Sequence, residues 1–463
     1  MSAALAVQGT TSSAGKSLLV TALARVLRRR GVDVVPFKAQ NMSNNARVVA
    51  GGEIGAAQYL QALAAGVEPD VRMNPILVKP EADDRSQVVV LGRPDLELSR
   101  LPWRERRTSL WPVAAEALAS LRAAHEFVLI EGAGSPAEIN LRDTDLANMR
   151  TAKAADARVV LVADIDRGGA FAHLYGTWAL LAEDERARLV GFVLNRFRGD
   201  ASLLPPGPEL LRELTGVPTI GVLPWLQHGL PDEDGAFVTG LAGDGDGPIV
   251  AVVRYPTASN LDELKPLEQV ARVRWATRPV DLDGAALVVL PGSKHVAADL
   301  AWLRERRFAA ALTASEAPVL GICGGLQLLG RSLVDEAGVD GTADGLGLLA
   351  VTTRFGAEKT ARATRTRFGA LPEPWSALAG GELRGYEIRH GTTIADGPVL
   401  EALPGGLGYA SGRVLGIAMH GLFEQPELVR ALLGAAPERS LEQVFDGLAD
   451  AVEECLDLDA VLP

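Results

Sequence analysis

The segment Gly9-Thr10-Thr11-Ser12-Ser13-Ala14-Gly15-Lys16-Ser17 stands between an apolar β-type run, Ala3–Gln8, and an amphipathic helical stretch, Ser17–Arg30. A glycine-bracketed loop ending in Gly-Lys-Ser, placed between a strand and a helix, leaves few folds open. Its backbone N–H groups and the helix N-terminus both aim at one anion, so it reads as a phosphate loop. In such a loop Lys16 reaches the terminal phosphates of a nucleotide and Ser17 holds Mg2+. Five residues separate the two glycines here, which fits a sub-family of phosphate loops with one extra residue.

The first 225 residues continue the alternation. Val32–Phe37, Phe127–Glu131, Ala157–Asp164, Val190–Asn195 and Thr219–Leu223 read as buried strands, and Gly55–Ala65, Val113–Ala124 and Phe171–Leu181 as helices. Short, continuously apolar strands separated by helices predict a parallel sheet covered on both faces. Around Pro231–Pro248 the pattern gives way to acidic, glycine-rich sequence without periodicity, which predicts a linker over 231–247. Alternation then resumes, with Ile249–Arg254, Ala286–Leu290, Val319–Ile322 and Val414–Met419 as strands and a helical tail over Pro426–Leu458. The expected fold class is α/β, in two domains (1–230 and 248–463), each a mostly parallel sheet flanked by helices.

Polar residues at the carboxyl ends of parallel strands lie at the rim where ligands bind. Glu131 ends one strand, before Gly132-Ala133-Gly134, and is a candidate ligand of a second metal or, through water, of Mg2+; the alternative is an exposed strand-end acid. Asp164 and Asp166 are open to the same two readings. Asn195 caps another strand, as an amide reading adenine or as a turn residue.

Gly321-Ile322-Cys323-Gly324-Gly325 follows a strand and opens a helix. Small residues on both sides let the backbone turn sharply and lift the thiol to the sheet edge, a nucleophile elbow. The helix N-terminus favours a thiolate, and its N–H groups are placed to stabilise an oxyanion. A thiolate nucleophile needs a base. Of the six histidines, His420 ends an apolar strand and is taken as that base; His295 follows Pro291-Gly292-Ser293-Lys294, and His390 lies in Gly385-Tyr386-Glu387-Ile388-Arg389-His390.

Composition narrows the partners. A net charge of −12 argues against nucleic acid and anionic membrane. No apolar run approaches a membrane span, and the N-terminus lacks a basic, signal-like region. Two cysteines in 463 residues rule out a disulfide framework and fit a reducing, cytoplasmic location. Lysine is scarce, seven among 46 basic residues, and Lys16, Lys38, Lys79 and Lys294 all sit in motif-like stretches.

Further stretches carry a resemblance. They are Pro36-Phe37-Lys38-Ala39-Gln40-Asn41-Met42-Ser43, Gly51-Gly52-Glu53-Ile54-Gly55-Ala56-Ala57-Gln58, Met73-Asn74-Pro75-Ile76-Leu77-Val78-Lys79-Pro80, Glu131 to Leu141, Ala163 to Gly169, and Asn195 to Gly199. With these the chain resembles, over nearly its whole length, the cobyric acid synthase family of glutamine-dependent amidating enzymes. The N-terminal half is similar to dethiobiotin synthetase-like ATPases and the C-terminal half to triad-type glutamine amidotransferases.

The resemblance implies ATP as co-substrate with Mg2+, a glutaminase with Cys323 as nucleophile and His420 as base, and oxyanion donors from Gly292 and Gly324. It implies a corrinoid substrate, adenosylcobyrinic acid a,c-diamide, amidated at its b, d, e and g carboxylates. Lys38, Gln40, Asn41 and Lys79 are candidate substrate residues, with Arg85 beside them. Triad amidotransferases usually carry Glu two residues after the His; here that position is Leu422. The family branch also lacks it, so a Cys–His dyad is expected, with Glu424 as a possible substitute. Arg389 stands where the branch usually has His. The rival readings are the related cobyrinic acid a,c-diamide synthase, which the Gln40-Asn41-Met42-Ser43 and Asn74–Pro80 stretches disfavour, and a MinD/ParA-like switch ATPase, which would not need Cys323 and His420.

Overall fold

The computed structural model describes residues 2–82, 85–231, 240–243 and 247–462. The first domain is built on a six-stranded, wholly parallel sheet in the spatial order Thr219–Pro224, Leu189–Phe197, Arg158–Asp164, Ala3–Gly9, Phe127–Glu131, Val34–Phe37. Side chains alternate across each strand, so each strand feeds two cores. Ala4, Ala6, Val128, Ile130, Leu161 and Ala163 face one layer of helices. Leu5, Val7, Phe127, Leu129, Val160 and Val162 face the other. Burial on both faces is why these strands read as unbroken apolar runs rather than as alternating ones.

The register brings the strand ends together. Val7 lies beside Glu131, Gly9 beside Val162, and Asp164 beside Asn195. One edge of the sheet therefore collects the phosphate loop, Glu131, Asp164 and Asn195.

The second domain holds an eight-stranded sheet in the order Gly240–Ala242, Arg272–Ala276, Ile249–Val253, Leu287–Leu290, Val319–Ile322, Val414–Ile417, Gly408–Ser411, Leu400–Leu403. The middle five strands are parallel and the outer ones antiparallel. Within the expected linker, Gly240–Ala242 is an edge strand; residues 232–239 and 244–246 lie outside the described residues.

Other features differ from the sequence reading. Gln40–Met42, Ile76–Ala82, Arg85–Val90 and Arg93–Asp95 form a second, smaller sheet in the first domain, next to a hairpin of Ala46–Val49 and Gly52–Gly55. Val351–Arg367 and Glu382–Ala395 form a long antiparallel hairpin that leans on Ala46–Val49. The helical tail belongs by position to the second domain, but its last helix, Leu441–Cys455, packs on the first. Val444, Phe445, Leu448 and Val452 share a core with Leu19, Leu23 and Leu27, and Asp446 meets Arg25 at 2.7 Å and Arg29 at 2.9 Å.

The seam between the domains carries buried charge. Glu53 of the first domain binds Lys79 at 2.6 Å and also Lys359 from the long hairpin. Burial raises the Glu53 carboxyl, but Lys359 and Lys79 outweigh it and bring the group down to about 2. Lys294 pairs with Glu81 at 2.8 Å across the same seam. Removing one partner from a buried ion pair costs about 3–5 kcal/mol, so these contacts fix how the domains meet.

Candidate active site

The site residues gather in two centres, one in each domain. In the first, the loop from Gly9 to Ser17 turns through left-handed backbone at Ser13 and Gly15, with φ of 58° and 102°. A side chain at Gly15 is excluded twice over: φ is left-handed, and a Cβ would lie 1.9 Å from the Asn195 amide nitrogen. Asn195 donates to the Ala14 carbonyl at 2.9 Å, so it braces the loop from the neighbouring strand.

Lys16 is almost fully buried and donates to the Thr11 carbonyl at 3.1 Å and the Gly134 carbonyl at 3.2 Å. Glu131 is fully buried rather than exposed. Its Oε1 accepts from the Ser17 hydroxyl at 2.9 Å and from the Lys38 ammonium at 2.7 Å, and its Oε2 accepts from Gln61. The two residues picked as Mg2+ ligands are thus in direct contact. Hard oxygen donors at a phosphate loop suit Mg2+, which takes one or two protein oxygens and fills the rest of its shell with phosphate and water. The Thr10 and Thr11 hydroxyls are buried without a protein partner beside them. The residues present therefore fit a magnesium nucleotide. Asp164 is held by Arg196 at 2.8 Å and Arg167 at 3.2 Å.

A cavity of about 1080 Å³ opens from this loop. Gln40, Asn41 and Lys38, the candidate substrate residues, line it, and Tyr255, Ala258 and Leu261 of the second domain form part of its wall. Two of the lysines differ from expectation. Lys38 lies on the lining, but its charge faces Glu131. Lys79 is 3% exposed, bound to Glu53 in the domain seam, and absent from the lining. Its motif position places it against Glu53 in the seam rather than on the cavity wall. Arg85 pairs with Glu81 at 3.2 Å.

In the second centre Cys323 has φ 52° and ψ −104° between Val319–Ile322 and the helix Gly324–Leu329. This strained turn is the elbow that the flanking small residues predict. A Cβ on Gly324 would lie 2.4 Å from the Ser293 backbone nitrogen, and one on Gly292 would lie 3.0 Å from His420 Cε1. Both glycines are needed so that two backbone segments can close around the thiol. The Cys323 Sγ also reaches the Ile388 carbonyl at 3.5 Å.

His420 is buried within electrostatic reach of Cys323. Its Nδ1 lies 2.6 Å from Glu263 Oε1, and the Glu263 Oε2 accepts the Gly421 N–H at 2.8 Å. Burial works against a charged imidazole, but Cys323 and Glu263 outweigh it and push His420 up to about 10. The expected dyad is therefore a triad, and its acid is Glu263. Glu424 is not the substitute, since it ion-pairs with Arg47 instead. Glu263 stands 157 residues before His420, on the 3-10 helix Leu261–Gln269. No spacing rule keyed to the His could find it.

The other histidines lie apart from this contact. The His295 side chain caps the helix Val296–Glu305 and sits 3.3 Å from Asp340. His390 meets Gln327 through its backbone carbonyl, and burial pulls its ring down to about 4. Arg389, in the usual His position, pairs with Glu387 at 2.7 Å.

Two family models match the chain: a CobQ/CobB/MinD/ParA nucleotide binding domain over residues 5–229 and a CobB/CobQ-like glutamine amidotransferase domain over residues 249–428. A cobyric acid synthase of Polaromonas sp. (strain JS666) is 54% identical, covering 97% of this chain and 95% of its own length. That of Paracidovorax citrulli is 57% identical over 97% of this chain and 96% of its own. This chain belongs to the cobyric acid synthase family. A third member, from Leptothrix cholodnii, is 54% identical over 99% of this chain and 96% of its own length. The members align from end to end, so both centres fall within the shared length.

Proposed function

We propose that this family member joins ammonia from glutamine to the b, d, e and g carboxylates of adenosylcobyrinic acid a,c-diamide, using one ATP for each amide. The carrying observation is that one cavity touches both the phosphate loop and the glutaminase domain. An enzyme that makes ammonia at one centre and uses it at another needs that adjacency.

Ammonia does not displace oxide from a carboxylate, so the acid must first be activated. A substrate carboxylate oxygen attacks the γ-phosphorus of ATP and ADP departs, leaving an acyl phosphate. Lys16 and the loop's N–H groups stabilise the charge on the transferring group. Ser17 and Glu131 would hold Mg2+, which when bound neutralises charge across the phosphates. Lys38 holds Glu131 in place.

At the other centre the Cys323 thiolate attacks the glutamine amide carbon. The N–H groups of Gly292 and Gly324 receive the oxyanion, and His420 protonates the departing ammonia. His420, now neutral, takes a proton from water, which attacks the thioester and releases glutamate. Ammonia, being mostly protonated in bulk water at neutral pH, is delivered without entering it. It attacks the acyl carbon and phosphate leaves.

Among the described residues no helix is long and apolar enough to cross a membrane. The reading places the enzyme in the cytoplasm with small-molecule partners only. The test is stoichiometry. With substrate, Mg-ATP and glutamine, the new amide, ADP and glutamate appear in equal amounts; ADP release without new amide contradicts the reading.

A further inference from the structure

Arg47 belongs to the nucleotide-binding domain, yet its side chain is buried in the glutaminase. Its Nε donates to Asp262 Oδ2 at 2.7 Å, and its Nη2 ion-pairs with both Asp262 and Glu424. The guanidinium lies 5.2 Å from the centroid of the Tyr386 ring. That ring stacks on the His420 imidazole, with centroids 5.2 Å apart and planes 21° apart. Asp262 immediately precedes Glu263, the acid on His420 Nδ1. One side chain from the other domain thus touches both supports of the catalytic imidazole: the turn carrying its acid and the ring covering its face.

The surrounding bonds repeat the pattern. Asn45 Oδ1 accepts the Leu261 N–H at 3.0 Å, and Asn260 donates to the Ala46 carbonyl at 2.6 Å and to the Tyr386 hydroxyl at 2.9 Å. Asn260 sits in left-handed backbone, φ 54°, at the start of the helix carrying Glu263. Upstream of Ala46, Ser43, Asn44 and Asn45 line the large cavity that opens from the phosphate loop. The stretch from Ser43 to Arg47 is therefore a short, buried connection between the ligase cavity and the glutaminase triad.

We propose that Arg47 is a positioning residue of the glutaminase, acting from the other domain by holding Glu263 and Tyr386 in the arrangement that orients His420. The inference rests on the glutaminase reading above. Arg47 touches no reacting atom. It is an arginine because its planar fork serves two carboxylates while one face lies over an aromatic ring, which a lysine ammonium cannot do together.

The experiment compares the full-length wild type with Arg47→Lys, Arg47→Gln and Cys323→Ala in two assays: glutamine hydrolysis with the ligase substrates present, and amidation driven by ammonium salts. Arg47→Lys keeps the charge and bulk, so it guards against a variant that fails to fold. The expected result is a kcat for glutamine hydrolysis lower by about tenfold in Arg47→Lys and further in Arg47→Gln, with KM for glutamine within about twofold. Ammonium-driven amidation stays within about twofold of wild type in both. An unchanged glutaminase kcat in both variants overturns the proposal, as does an equal loss of ammonium-driven turnover, which marks a general structural role. Absence of glutamine hydrolysis in the wild type overturns the glutaminase reading, and this inference with it.

Discussion

Replacing Cys323 with Ala removes glutamine-dependent amidation by roughly 10⁴-fold or more, while ammonium salts at raised pH still support turnover. The first half follows from the chemistry. Without the thiolate no thioester forms, and His420 alone has nothing to protonate. The second half follows from the layout. Lys16 lines the cavity together with Tyr255, Ala258 and Leu261 of the second domain, whereas Cys323 is not part of its lining. The Cys323 backbone is anchored by its N–H to the Ile417 carbonyl at 2.7 Å, a bond that Ala keeps. Alanine adopts the left-handed φ at a cost similar to that of cysteine, so the elbow survives. Raised pH matters because ammonium must lose a proton before it can attack. The assay reads glutamate release and new amide separately. Loss of both glutamine- and ammonium-driven amidation would show that the two centres are not separable as described.

Replacing Glu263 with Gln lowers glutaminase kcat by roughly two to four orders of magnitude and moves the alkaline limb of its pH profile toward neutrality. The substitution keeps volume and an oxygen for the Gly421 N–H, so the local fold has little reason to change. It removes the negative charge 2.6 Å from His420 Nδ1. In the wild type, burial disfavours the imidazolium, and Cys323 and Glu263 together push His420 up to about 10. With Glu263 neutral, burial meets less opposition, so His420 loses its proton at lower pH, by roughly 1–3 units for a contacting charge. The alkaline limb of the glutaminase profile then lies at lower pH than in the wild type. Glu263→Asp, which keeps the charge, recovers part of the loss. An unaltered kcat and an unmoved alkaline limb would reduce Glu263 to a structural acid.

The parallel sheets were legible because their strands bury both faces and so appear as short apolar runs. Those of the first domain end within two residues of where the sequence places them. The elements that were missed share a different physics. The long hairpin contains Thr364-Arg365-Thr366-Arg367, with no apolar run, because much of it is exposed. The small sheet breaks its pattern at Lys79 and Pro80, since Lys79 is placed there to pair with Glu53, which also binds Lys359 of the second domain. The tail helix was legible as a helix but not in its docking, because amphipathicity states that a face is buried and not against what.

The sites divide in the same way. The Gly-Lys-Ser loop and the Gly-x-Cys-Gly-Gly elbow are local backbone devices, and local sequence reveals them. Contacts made by the fold are not visible in this way. Glu263 reaches His420, Arg47 reaches Asp262 and Lys79 reaches Glu53 from elsewhere in the chain, and no spacing along the sequence encodes those meetings. Lysine scarcity pointed to residues that matter. It could not tell a substrate ligand from a buried ion pair.

The use of ATP and glutamine to turn corrinoid carboxylates into amides is tested by mass spectrometry of adenosylcobyrinic acid a,c-diamide incubated with the enzyme, Mg-ATP and amide-¹⁵N glutamine. The expected result is stepwise conversion of the b, d, e and g carboxylates, each new amide carrying the ¹⁵N label; a corrinoid recovered unchanged while ADP accumulates would rule out the corrinoid amidation.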